Sequence, residues 1–429
     1  MLPLKETRRI ELLPGVHLRC IRTEKFHTGY FSLSLLRPLD RADASKNALL
    51  MNVLRRGSRS LPDMEKLQEA LNDAYGAGVE PIIRQFGEAL AIGFSAWFPD
   101  DRCLPEDAGN LERVLEILGE LLLDPATRGG LLQADYVNSE RRNLKDRIDA
   151  MVNDKQSYAS FRARQTLFAG ERYAEYPLGT AEAAEKITNV ALTKHYKKVL
   201  ATSPIELFYC GSAEPERVEA AALNALRTLP GGGERLWPAT VPASAAVEMQ
   251  RFTEHMDVNQ GKLVMLYPLD LEPAVEDYSA MVVFNAMFGG SPASRLFREV
   301  REKRSLCYSA SSGIDRYKGV LSVHAGIAFD KAEEVEEAVN EELRRLAEGQ
   351  FTPEELETAR YYVASAYRRV GDSGADLDGF LLGRDMLGLD CSLEQFALSL
   401  EEVTAEQVIR IAESARLRLA YFLRKEEEE

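Results

Sequence analysis

Five histidines, five cysteines and several glycine-rich turns are the residues of this 429-residue chain whose type and spacing could do chemistry. His17, His27, His195, His255 and His324 include no pair at the spacing that sets two imidazoles on one helical face, so no metal-ligand pair stands out. Cys20, Cys103, Cys210, Cys307 and Cys391 are odd in number and far apart, with no C-x-x-C. That argues against a disulfide framework or a thiolate zinc site and for small buried apolar residues. His255 and Asp257 in RFTEHMDVNQ come nearest to a hydrolase cluster, but no G-x-S-x-G turn accompanies them and strand alternation explains both. Cys307 lies in an apolar-flanked segment without a local histidine to activate its thiol. The glycines of GGGERL (231–236) and FGGSPAS (288–294) lack the Lys-Ser/Thr of a phosphate loop and read as linker and helix cap.

The elements that would position any site come in two copies. YFSLSLLRPLD (30–40) alternates like a strand, and ASKNALLMNVLRRGS (44–58) reads as a helix ending near Gly57. A second helical stretch runs from Pro62 to DAYGAGVE, and ALAIGFSAWF follows as a strand. The second half gives KLVMLYPLDL (262–271), DYSAMVVFNAMFGGS (277–291), ASRLFREVREKRSLCYSASS and VLSVHAGIAF in the same order. Adding 233 carries Gly57-Ser58 onto Gly290-Ser291, Tyr75 onto Tyr308 and Gly93 onto Gly326. Long helices follow in each half (DYVNSERRNLKDRIDAMVNDK and TPEELETARYYVASAYRRV), and PIELFYCG and RLAYFLRK close them as strands. Strand pairs beside runs of helices predict an α+β fold: two homologous domains, each a mostly antiparallel sheet packed against helices. The Gly- and Pro-rich stretch 233–246 is the expected linker between domains 1–232 and 247–429.

Composition narrows the partners. Lys+Arg total 53 against Asp+Glu 68, a formal charge of −15, which argues against a nonspecific nucleic-acid or anionic-membrane partner. No apolar run approaches the ~18 residues of a membrane span, and MLPLKETRRIELLPG lacks the apolar stretch of a signal peptide. A soluble, cytoplasmic protein is expected, with a frayed KEEEE end.

The block LFREVREKRSLCYSASS, preceded by FGGSPASRLF, resembles the second-half signature of the pitrilysin/insulinase-type zinc peptidases and the mitochondrial processing peptidase group. YPLGTAEAAEKIT and LFYCGSAEPERV resemble that family too, so the likeness covers nearly the whole chain. The resemblance implies two domains facing each other across a cavity. It also implies an H-x-x-E-H motif on the first helix of the first half, with a downstream glutamate as third zinc ligand. In the family pattern the motif ends five residues before a G-[ST] stop; here that stop is Gly57-Ser58, which puts the motif at Ala48, Met51 and Asn52. A methyl, a thioether and an amide replace two imidazoles and a general base, so no metal or other cofactor is expected. The downstream ligand falls in ERRNLKDRI, where Glu140 is followed seven residues later by Arg147, or by Asp146 if the helix shifts by one. Arg147 then reads either as part of a solvated helix face or as a cation filling the vacant site beside an acid.

What the resemblance leaves in place is Arg301 and Tyr308, seven apart. In catalytic members an arginine and a tyrosine so spaced contact the substrate backbone and the oxyanion, roles that a guanidinium and a phenol suit. Without that context they read as an ordinary ion pair and a core residue. Phe168, Tyr173 and Tyr176 in TLFAGERYAEYPLG lie near the chamber in the family, so they read as peptide contacts or as core. Some bacterial members are heterodimers in which one chain carries the zinc motif and the other the arginine–tyrosine pair. GVHLRCIRTEKFHTGYFSLSLLRPL and DVNQGKLVMLYPLDL further resemble a zinc-less bacterial subgroup associated with elongation factor P modification, although Leu266 stands where a small residue is expected. The implied function is a non-catalytic subunit, inactive alone, that pairs with a zinc-bearing homologue and completes a closed peptide chamber. The alternatives are a scaffolding protein, or a homodimer that binds peptides without cutting them.

Overall fold

A computed structural model describes residues 5, 6, 9–105, 108–230, 237–271 and 277–426. The first half runs β1 (Lys5–Glu6), β2 (Ile10–Leu13), β3 (Val16–Arg22), β4 (Thr28–Pro38), α1 (Ala44–Leu54), α2 (Met64–Asp73), β5 (Gly78–Phe86) and β6 (Ala89–Pro99). It continues through α3 (Asn110–Leu123), β7 (Thr127–Arg128), β8 (Leu131–Leu132), α4 (Ala134–Asp149) and α5 (Lys155–Leu167). Next come α6 (Ala181–Glu185), α7 (Asn189–Thr202), β9 (Ile205–Gly211) and α8 (Pro215–Ala225). The second half repeats the order with β10 (Gln250–His255), β11 (Gly261–Pro268), α9 (Asp277–Phe288), a π-helix (Leu296–Lys303), β12 (Cys307–Asp315) and β13 (Val320–Ile327). It closes with α10 (Ala332–Ala347), α11 (Pro353–Val370), α12 (Gly374–Met386), α13 (Leu393–Glu401), α14 (Ala405–Ser414) and β14 (Leu419–Arg424). The α+β expectation holds, with one refinement. Each of the two large sheets contains a parallel pair, β3–β9 in the first and β10–β14 in the second, among otherwise antiparallel neighbours.

The chain forms two compact units that are not contiguous in sequence. The first comprises residues 1–149, 175–239 and 371–383; the second comprises 150–174, 240–370 and 384–429. The change at 239/240 lies within the stretch expected as a linker, but the exchange of 150–174 for 371–383 has no counterpart in the division read from the sequence. Each half gives one helical segment to the other half's sheet.

In the first unit the strand order is β1-β3-β9-β4-β6-β5, with β2 beside β3. Alternation sends Leu33, Leu35, Phe94, Leu207 and Tyr209 into one core with α1, α3 and α7. α1 buries nine of its eleven residues, Ser45 and Asn47 among them, as suits a helix enclosed on most sides. Gly93 is obligatory in β6, since an added Cβ would lie 1.8 Å from the Leu33 carbonyl oxygen. The α12 segment lies against β4 and β5: Asp378 accepts hydrogen bonds from the Tyr30 hydroxyl and the Arg84 guanidinium.

In the second unit the order is β10-β14-β11-β13-β12. Val264, Leu266, Tyr421 and Leu423 share a core with Ala159, Ala163 and Leu167 of α5. Leu266 therefore fills space under a borrowed helix. The hold on α5 is also polar, because Glu254 accepts from the Tyr158 and Tyr421 hydroxyls, each at 2.6 Å, and from Arg162 at 3.0 Å. The acid sits on the helix in one unit and on the sheet in the other. Ser392/Gln395 and Thr404/Gln407 close reciprocal capping boxes at the starts of α13 and α14.

The halves match less simply than a constant offset. Gly57-Ser58 and Gly290-Ser291 do follow α1 and α9. The left-handed residue after the second helical element, however, is Tyr75 (φ 56°) in one half and Ser305 (φ 52°) in the other. Tyr75 and Tyr308 are therefore not equivalent. The second half also has a four-residue loop, 316–319, in place of the two-residue loop at 87 and 88, so the spacing shifts along the repeat.

Candidate functional site

The positions assigned to the zinc motif lie on α1, with Ala48 5% and Met51 2% exposed. Asn52 turns its amide back along the helix, Nδ2 donating to the Ala48 carbonyl at 2.9 Å. Facing them, α4 carries Glu140, buried and accepting from Arg56 Nη1 at 3.2 Å and from Asn143 Nδ2 at 3.1 Å. Arg56 also stacks over the Tyr136 ring at 5.3 Å. Its guanidinium therefore supplies positive charge beside the carboxylate. Arg147 is exposed on α4 and forms no ion pair among the described residues, in keeping with a solvated helix face. The cation beside Glu140 comes from the end of the first helix, not from α4 itself.

These residues do not fit a zinc ion. A methyl and a thioether give no basic donor, and Asn52 offers only a neutral amide oxygen, a weak ligand for zinc. Among the described residues no group of three or more His, Cys, Asp and Glu side chains could hold a metal ion. His195, which lies against α1, is occupied: its Nε2 is 2.8 Å from Asn47 Oδ1 and its Nδ1 is 3.7 Å from Asp43. Burial pushes this imidazole down to about 4, against the opposing pull of Asp43. For Asp43 burial works the other way, but hydrogen bonds from Lys198 and Lys46 outweigh it and hold the carboxyl well below the usual range.

The second unit presents a different surface. The π-helix buries Leu296 and Val300 and leaves Arg301 on its outer side. The Arg301 guanidinium stacks over Phe297 at 4.6 Å, and its one ion pair among the described residues is with the neighbouring exposed Glu302, at 3.5 Å. Ser305, in the left-handed region, turns the chain into β12. The register of β12 against β13 shifts between Cys307 and Ser309, which leaves Tyr308 as the extra residue of a bulge, 67% exposed. A bulge re-aims one side chain out of the strand's alternation. Tyr308 is therefore not a core residue, and β12 is an edge strand with one side of its backbone unpaired within its sheet.

The other candidates resolve into structure. Burial pushes the Cys307 thiol up to about 11, against the opposing charge of Arg301, so it is no nucleophile. His255, exposed at the end of β10, makes no pair with Asp257; its Nδ1 lies 3.4 Å from the Lys425 carbonyl. Phe168 and Tyr173 pack edge to face at 5.0 Å in the second core. Buried Lys318 lies over both rings and pairs with Glu171 at 2.6 Å. Tyr176 packs against the first core. FGGSPAS follows the end of α9, whereas GGGERL and the last three residues of KEEEE lie outside the described residues. No helix among the described residues is long and apolar enough to cross a membrane.

Comparison with known proteins identifies the family. Residues 186–361 match the family described as "Peptidase M16 inactive domain". The chain is 30% identical over 412 residues to the "Probable inactive metalloprotease YmfF" of Bacillus subtilis strain 168, covering 96% of each. An "Uncharacterized zinc protease" of Streptomyces coelicolor is 26% identical, covering 70% of this chain and 67% of that protein. The "Uncharacterized zinc protease YmxG" of the same B. subtilis strain is 24% identical over 53% of each. Among solved structures, a conserved protein of Enterococcus faecalis V583 superposes with a TM-score of 0.88 at 27% identity, over 98% of this chain and 99% of that one. A peptidase M16 inactive domain from Pseudomonas fluorescens gives 0.80 at 19% identity, over 98% and 99%. A chain of complex III2 from Candida albicans gives 0.74 at 16%, over 97% and 95%. With one relative aligned along almost its full length and the same fold in each of these structures, the chain belongs to the peptidase M16 family, the family of the pitrilysin/insulinase-type resemblance.

Proposed function

We propose that this chain is the non-catalytic subunit of a zinc-dependent peptidase, inactive alone, which pairs with a zinc-bearing homologue and donates Arg301 and Tyr308 to a peptide held in a closed chamber. The observation that carries the reading is a contrast: α1 offers no metal donor set at Ala48, Met51 and Asn52, while the second unit holds an arginine and a tyrosine out toward solvent. A guanidinium is a fixed cationic donor suited to a developing oxyanion, and a phenol can bond a peptide carbonyl without adding charge. The unpaired edge of β12 beside them supports an extended peptide as the ligand, since such an edge accepts one more strand. That one B. subtilis strain has relatives named as an inactive metalloprotease and as a zinc protease supports the pairing. A cytoplasmic location and elongation factor P as a substrate to assay belong to the same proposal. A scaffolding role or a peptide-binding homodimer is the second reading, favoured by the occurrence of this fold within a large respiratory assembly.

The test is reconstitution with a zinc-bearing homologue from the same organism. The pair is expected to cleave peptides in a chelator-sensitive way. Arg301→Ala should lower kcat/KM by about 10²-fold, as for loss of an oxyanion donor, with the assembled mass unchanged by light scattering. Unchanged turnover in an intact Arg301→Ala pair overturns the donated-contact reading, and chelator-insensitive cleavage by the lone chain overturns the non-catalytic one.

A further inference from the structure

The element that carries Arg301 is itself unusual. It is a π-helix of eight residues, with no side-chain cap at its start. Such helices are rare, occur mostly as single turns and are frequent at functional sites. In the first half the element in the same place is α2, a regular α-helix whose Asp63 side chain accepts from the Lys66 N–H. The π-helix lacks that device and is held from outside.

It is held by α10. Arg295 stands immediately before the π-helix and Arg304 immediately after it. Both reach adjacent acids on α10: Arg295 Nη1 lies 3.3 Å from Glu342, while Arg304 Nη2 lies 2.7 Å from Glu341 and 3.7 Å from Glu342. Glu342 is fully buried and also accepts from Arg345, on its own helix, at 3.1 Å. One buried carboxylate thus faces guanidiniums from both ends of the π-helix. Breaking a buried pair strands a charge, so these ends are costly to move.

Arg301 depends on that hold. Its ring contact, Phe297, and its ion pair, Glu302, both belong to the π-helix itself. The direction of its guanidinium therefore follows from how the helix is fixed. We propose that Glu342 is a positioning residue for Arg301, acting through Arg295 and Arg304 on the two ends of the π-helix. This rests on the donated-contact reading above and adds the group that sets the geometry of the contact.

The first measurement needs no partner. In hydrogen exchange of the full chain, Glu342→Gln should speed exchange of the amides of 296–306 by about tenfold or more, as for loss of a local hold, with those of α9 and β13 unchanged. The second uses the reconstituted pair. Glu342→Gln should lower kcat/KM by about tenfold, part of the loss expected for Arg301→Ala, because misplacing a substrate contact is costly. Arg304→Gln frees one end only, at a half-buried position that tolerates the change, and should act in the same direction. In an Arg301→Ala background, Glu342→Gln should cost no more than about twofold further, since a residue acting through another adds little once that other is gone. A merely structural Glu342 would cost the same in both backgrounds, and that result overturns the proposal. So does exchange across the π-helix that stays as in the unaltered chain, or turnover unmoved by both Glu342→Gln and Arg304→Gln. Unchanged turnover with Arg301→Ala refutes the donated contact and this role together, whereas faster exchange with an additive loss of turnover refutes this role alone.

Discussion

Replacing Asp378 with alanine probes the borrowed helix directly. The carboxylate is 4% exposed, and its partner Arg84 keeps 23% of its side chain in contact with solvent. Burial works against the Arg84 charge, but Asp378 more than offsets it, so the guanidinium pKa is raised; burial and then the same carboxylate raise that of Tyr30. Removing one member of a buried pair costs about 3–5 kcal/mol when the other charge is stranded. Arg84 retains some water, which places this case near the lower end, and Tyr30 loses an acceptor at 3.1 Å for about 1 kcal/mol more. A loss of roughly 4 kcal/mol is expected. The chain's two tryptophans, Trp97 and Trp237, both lie in the first unit, and Trp97 pairs with Tyr30 across β4 and β6. Tryptophan fluorescence in a urea titration therefore reports the unit under test. Adding Arg84→Met to Asp378→Ala removes the stranded charge and should recover most of the loss. A single-variant loss below about 0.5 kcal/mol, or a double variant no more stable than the single, refutes the reasoning.

Buried histidines should make the chain acid-sensitive. Burial holds His195 and His324 at about 4 in the folded protein, against 6.5 for the free side chain. Between those values the unfolded chain binds protons that the folded one does not, so stability falls as pH drops from 6.5 toward 4, by about 3 kcal/mol for each group. His195→Gln should flatten that slope in urea titrations across this range, and an unchanged slope counts against it. Dialysed against zinc and then against zinc-free buffer, the lone chain should retain far less than one equivalent by metal analysis; stoichiometric retention would mean that another donor set exists.

The repeat of strands and helices was legible because alternation and helical spacing leave marks on short stretches of chain. ALAIGFSAWF and VLSVHAGIAF read as strands and are strands; ASKNALLMNVL reads as a helix and is one. The exchange of α5 and α12 left no such mark. Which sheet a helix covers is a long-range matter, and the apolar faces of KQSYASFRARQTL and GADLDGFLLGRDM suit either partner. The Tyr308 bulge was hidden for a related reason, since CYSASSGID alternates acceptably and only pairing with β13 shows the extra residue. Arg56 was missed because its carboxylate, Glu140, lies 84 positions away on another helix. Chemistry that depends on residue type, such as the absence of donors at Ala48 and Met51, could be read directly, whereas chemistry that depends on a partner could not.

The reciprocal loan of helices changes what the connection at 239/240 does for the molecule. A protease cut there would leave two polypeptides, yet each compact unit would still be assembled from both of them, with residues 150–174 of one piece in the second unit and 371–383 of the other in the first. The nicked protein would keep its two halves together by packing and ion pairs alone. Conversely, either half made by itself would expose a sheet face shaped for a helix it does not own, so the product would be a sticky fragment rather than a smaller working domain.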